Sequence, residues 1–188
     1  MNAAHATTLV AFIGSHPNWL GRSVSITGLT DSAGNTWRLL TGPATARGTT
    51  FVLLSAVYYC KNPLTSTKLT VTATLSNPAP LVMHVFAVSG TDVNDVPIHS
   101  SISDSGPRAP STDVVTEAIT MPTNGFVLSW TKPELGAAAS AVDSSLDSRS
   151  QPFLWAGYKA VAAGSYAGRF KYASANEWQA AIVGLKAR

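Results

Sequence analysis

From Thr67 to Leu75 apolar and polar residues alternate without a break. Leu69, Val71, Ala73 and Leu75 fall on one side, and Lys68, Thr70, Thr72 and Thr74 on the other. A period of two suits a strand with one buried and one wet face, and a helix has no use for it. The same grammar recurs along the chain. Ser23 to Thr30 alternates around Val24 and Ile26, and Thr8 to Gly14 is a compact apolar run. Thr49 to Lys61 and Leu81 to Val88 are apolar on both faces, as in strands covered twice.

Turn chemistry separates these runs. Asp31-Ser32-Ala33-Gly34-Asn35-Thr36-Trp37 reads as a hairpin turn, with Asp31 and Asn35 bonding their own backbone and Gly34 at a positive φ. A second hairpin is expected from Asp113–Thr120 and Gly125–Thr131, with Phe126, Leu128 and Trp130 sharing a face. Phe153–Val161, Ser165–Tyr172 and Glu177–Ala187 read as three closing strands. The expected fold is all-β: an antiparallel two-sheet β-sandwich, jelly-roll or immunoglobulin-like, of about ten strands. It fills one domain, 1–188, with 1–7 as a flexible N-terminal arm and 91–111 and 132–152 as long loops. A short helix over Leu135–Val142 is the alternative within the second loop. No internal repeat of fixed period is visible.

Composition narrows the class. Charged residues make up 12%, the formal balance is 13 − 10 = +3, and no Lys/Arg run occurs, so nucleic-acid binding is not expected. One cysteine, Cys60, rules out an internal disulfide framework and reads as a small buried residue. No signal peptide opens the chain and no apolar run is long enough to span a bilayer, so no membrane role is expected.

The stretches "SVSITGLTDSAGNTW", "VYYCKN", "KLTVTATL", "VSGTD" and the closing "WAGYKAVAAGSYAGRFKYASANEWQAAIVGLK" together resemble a bacterial and bacteriophage β-sandwich module with a "tDsaGNtw" hairpin. The resemblance runs from about Thr8 to Lys186. It implies a β-sandwich found in phage virion proteins and as accessory domains of secreted bacterial proteins, with no catalytic set. The chain departs from the pattern at Phe86-Ala87-Val88, where an acidic–aromatic pair is commoner before Ser89-Gly90. No role of that pair is carried over.

Candidate chemistry is sparse. His5, His16, His84 and His99 form no HxH, HExxH or Cys/His spacing, so no metal is expected. There is no G-x-S-x-G elbow and no phosphate-binding glycine array. Asp92, Asp95 and Asp104 share a loop, but nothing in their spacing makes an acid–base pair. Of the five tryptophans, Trp37, Trp130 and Trp178 lie at inward parity, leaving Trp19 and Trp155 as candidate platforms for a glycan or a partner. Asp92 and Asp95 are the accompanying polar candidates.

The resulting expectation is a non-enzymatic, cofactor-free structural virion protein of a bacteriophage, made in the host cytoplasm. Its most fitting role is a capsid decoration or cement protein, with a tail or fibre-base component as a variant. Expected partners are the major capsid protein, other virion proteins or further copies in an oligomer or lattice. The alternative is a glycan-binding module of a surface or secreted protein.

Overall fold

The computed structural model describes residues 1–15, 23–47, 52–106, 109–146 and 153–188. Up to Val88 it holds β1 (Thr8–Ser15), β2 (Ile26–Asp31), β3 (Arg38–Arg47), β4 (Val52–Lys61), β5 (Val71–Leu75) and β6 (Leu81–Val88). A middle segment carries four short strands, β7 (Ile98–His99), β8 (Ser103–Asp104), β9 (Ser111–Val115) and β10 (Ile119–Met121). The remainder holds β11 (Gly125–Pro133), β12 (Ala139–Ala141), β13 (Ser145–Leu146), β14 (Trp155–Val161), β15 (Gly164–Tyr166), β16 (Arg169–Asn176) and β17 (Trp178–Lys186). The fold is all-β and antiparallel, with seventeen strands among the described residues rather than about ten. The surplus is mostly two- and three-residue strands that a sequence pattern cannot mark.

Two central sheets stack face to face, one ordered β3-β4-β1-β6 and the other β13-β14-β11-β17-β7, with β8 also on β17. Their shared interior holds Val10, Phe12, Val57 and Phe86 from the first sheet and Leu128, Trp130, Ala156 and Val183 from the second. Both central sheets are apolar on their outer faces too, so each needs a second cover. The ribbon β2-β5 covers the first through Ile26, Leu29, Ala73 and Leu75. The ribbons β12-β16-β9 and β10-β15 cover the second through Phe170, Tyr172, Ile119 and Met121. This double burial explains why β4 reads as apolar on both parities, with Leu53 to Cys60 all buried.

The strand orders reveal a duplication. In the first unit the sheet runs β3-β4-β1-β6 under a β2-β5 ribbon; in the second it runs β13-β14-β11-β17 under β12-β16. The registers agree as well. Phe12 lies between Val57 and His84, and Trp130 lies between Ala156 and Ala181. These two equivalent residues meet across the interior with ring centroids 5.8 Å apart. The repeat lies in topology and not in residue identity, which is why no period shows in the sequence.

Several local expectations are corrected. The Asp31 turn forms in part as read: Gly34 has φ 76°, and the Asp31 carboxylate accepts the N–H of Ala33 (2.9 Å), that of Asn35 (3.2 Å) and Trp37 Nε1–H (2.7 Å), but the Asn35 side chain does not bond its own backbone and accepts the Leu64 N–H at 2.6 Å. It is not a hairpin, because β2 pairs with β5 while β3 pairs with β4; the turn carries the chain from one layer to the next. The 113–131 segment is likewise no hairpin, since β9 pairs with β16, β10 with β15, and β11 with β14 and β17. The N-terminal segment is docked and not a free arm: Ala3 is buried, its N–H bonds Ser66 O, and Leu69 N–H bonds Met1 O. The segment after Lys132 forms β12 and β13, not a helix.

Candidate functional site

Of the residues singled out from sequence, Trp19 lies outside the described residues. Trp155 sits on β14 half-buried against the Phe170–Trp178 cluster, its indole N–H donating to Ala137 O at 2.7 Å. Asp92 and Asp95 follow β6. Asp92 accepts the Asn94 N–H at 2.9 Å, and Asp95 takes the ammonium of Lys186, which holds its carboxyl below the usual range. The hollow beside them measures about 10 Å³, space for one water at most. Asp104 accepts the Gly106 N–H at 2.7 Å. Asp92 and Asp104 hold turns and Asp95 pairs with Lys186; Asp92 and Asp95 line one small hollow, and Asp104 is not among its lining residues.

A larger space lies on the outer face of the second unit, between its two covering ribbons. It is a cleft of about 290 Å³. Val127 and Ser129 of β11, Lys159 of β14 and Ile182 of β17 form its floor. Asp143 and Ser144, in the turn after β12, make one wall; Ser165, Tyr166 and Arg169 make the other. Arg169 Nε stands 3.4 Å from the Asp143 carboxylate, both side chains being more than half exposed. Gly168 crosses directly over the floor, and a Cβ there would come within 2.7 Å of Ser129 Cβ. Its strand is pinned by Thr116, which accepts the Gly168 N–H at 2.9 Å and returns its own N–H to Gly168 O at 3.0 Å.

A second polar group lies inside the sandwich at one end of β11. Lys132 occupies the next inward position after Leu128 and Trp130 and is only 1% exposed. Its side chain lies over Gly14 of the opposite sheet, where a Cβ would overlap Lys132 Cδ. The ammonium nitrogen has no hydrogen-bond partner, and burial pushes its pKa down to about 7 against the opposing charge of Glu134. Beside it on β17, Gln179 accepts the Ser55 hydroxyl at 2.7 Å and donates to Ala44 O at 3.2 Å, tying the two sheets together. Nearby, Tyr172 is bonded to Thr131, and burial raises its pKa, with that bond opposing.

The sequence reading missed the cleft and Lys132 for different reasons. Lys132 was legible: the shared face of Phe126, Leu128 and Trp130 extends by parity to it. The cleft residues come from β11, β14, β15, β16, β17 and the turn after β12, and no spacing links them. No family model, curated protein or solved structure matches the chain.

Proposed function

We propose that this protein is a non-enzymatic structural component of a bacteriophage particle, a decoration protein that binds and stabilises the assembled shell through the outer side of β6. The observation that carries this reading is a difference between the two units. In the second, β7 and β8 run along the outer side of β17. In the first, no strand among the described residues pairs with β6 on the side away from β1. The edge Leu81-Val82-Met83-His84-Val85-Phe86-Ala87-Val88 contains no acid, lysine, arginine or proline. Its ladder with β1 is unbroken from Thr8↔Val88 to Ser15↔Leu81, so no bulge twists it away.

Single-chain proteins blunt long edges with charge, proline or bulges, because an open edge is a template for another strand. An edge lacking all three suits a protein whose working state is an assembly. Binding to the lattice and not to free subunits would stabilise the shell by mass action. The resemblance of the "TDSAGNTW" and closing segments to phage β-sandwich modules favours a virion as that assembly. Purified particles test the reading: the protein should be present at a fixed copy ratio to the major shell protein. Its absence from particles would refute it.

A further inference from the structure

We infer that the cleft of the second unit is a binding site for a single carboxylated sugar, a uronic-acid-type pyranose. This goes beyond the assembly reading and stands without it. The duplication supplies the argument. Register places Ser129 where the first unit has Ala11, and Lys159 where it has Cys60, opposite Val127 and Leu9 respectively. In the first unit both positions are buried within apolar clusters. In the second the same two positions are polar and floor an open cleft. Covering a sheet calls for apolar residues there, as the first unit shows, so covering alone does not account for this pair.

The polar groups of the cleft point the same way. Ser129 is 4% exposed as a residue and lines the cleft floor. Among the described residues Lys159 has no carboxylate within ion-pair distance, whereas Arg169 is engaged by Asp143 at the rim. Among the described residues the cleft therefore presents one positive charge with no ion-pair partner, three serine hydroxyls (Ser129, Ser144 and Ser165) and one ion pair. Its volume of about 290 Å³ lies at the small end of ligand sites, the size of one sugar ring and not of a nucleotide.

The chemistry that answers this set is polyhydroxylated with a single negative charge. A carboxylate would pair with Lys159, and ring hydroxyls would bond the serines and bridge the Asp143–Arg169 pair. A neutral sugar leaves Lys159 unanswered. A phosphate brings about two charges to one free cation.

The experiment is a titration of the isotope-labelled full chain with glucuronate, galacturonate, glucose and inorganic phosphate, followed by amide chemical shifts. A uronate should give saturable shifts confined to the cleft, with glucose and phosphate weaker by about tenfold or more. Lys159→Ala should weaken uronate binding by about tenfold or more with unchanged melting, since Lys159 is exposed. Lys159→Arg, which keeps the charge, should retain most of the affinity. The inference is overturned by the absence of saturable uronate shifts, by phosphate binding as tightly as uronate, or by unchanged affinity in a folded Lys159→Ala variant.

Discussion

Lys132 makes the stability of this protein depend on pH in a direction that can be worked out beforehand. Its folded-state value is about 7 and its unfolded value 10.5. Between those limits the unfolded chain holds a proton that the folded chain has released. Stability therefore rises with pH across the window, by about 1.4 kcal/mol per pH unit. Below pH 7 both states are protonated, this slope vanishes, and the whole penalty of burying the charge is present. Cys60 acts in the opposite sense at higher pH: burial foremost, with the Asp31 charge assisting, pushes its thiol from 9.0 to about 11, so its contribution falls as pH rises above 9. The clean interval is pH 7 to 9, over which Lys132 alone is worth about 3 kcal/mol. Urea denaturation followed by tryptophan fluorescence, at half-unit steps through that interval, measures the slope. Lys132→Met keeps a chain of similar length over Gly14 without the charge. It should flatten the slope and raise stability most at and below pH 7, where the folded protein otherwise bears the cost of neutralising or burying the ammonium. Equal slopes in the two proteins would refute the reasoning.

Three further outcomes test other parts of the structure. Asp31→Ala removes the acceptor for two backbone N–H groups and the Trp37 indole, and should cost about 1–3 kcal/mol by equilibrium unfolding. Burial tends to raise the Asp31 carboxyl, but the bonds from Asn35, Trp37 and Ala33 outweigh it and hold it below its usual value. The wild type should therefore lose this contribution as acidification below about pH 4 takes the carboxyl through its lowered value, and the variant should not. Gly34→Ala meets no neighbour within 4 Å, so its effect is the backbone term for φ 76° alone, about 1–2 kcal/mol. Phe12→Ala and Trp130→Ala should each cost about 3–5 kcal/mol, and the double variant should depart from their sum by about 0.5 kcal/mol or more, because the rings touch across the interior. Ala87→Lys, on the exposed side of β6, should leave the melting temperature unchanged while removing the protein from particles; retained occupancy would exclude that edge.

What could be read from the chain was what short-range physics determines. Alternation marked β5 correctly, with Val71, Ala73 and Leu75 half-buried and Thr72 and Thr74 exposed. Two-faced apolarity marked β4 as central, and the Asp31 turn carries the hydrogen bonds that its Asp and Gly suggest, while the Asn35 side chain reaches out to Leu64. Partner choice was not legible. The turn after β2 looks like a hairpin because the local residues are the same whether the next strand returns alongside or crosses to another sheet. The pairing of β2 with β5 is decided by the apolar face that Ala11, Ile13 and Leu54 leave to be covered. The cleft was beyond reach for the same reason: Ser129, Asp143, Lys159 and Arg169 meet only because two ribbons leave a gap over one sheet.

The duplication gives these differences a common cause. Two units of one topology that pack inner face to inner face must be complementary and not identical, since equivalent positions confront each other. Phe12 meets Trp130, and one position-pair further along Gly14 meets Lys132. In the second case one unit yields all its side-chain volume so that the other can lay a four-carbon stem across the gap. The layer containing Gly14, Ser55 and Val82 on one sheet faces Lys132 and Gln179 on the other, and the Ser55–Gln179 bond closes it. Inner faces are thus bound to each other, and a change on one requires compensation on its partner. Outer faces are under no such constraint, because each is covered by its own ribbon. Divergence there is free to be functional: in the first unit no strand among the described residues pairs with the outer side of β6, and the hollow beside it is lined by Leu69, Val71, Met83 and Val85, while the second covers its edge with β7 and β8 and opens a more polar cleft. Edge and cleft therefore lie on different units, and the Ala87 and Lys159 substitutions should act independently of each other.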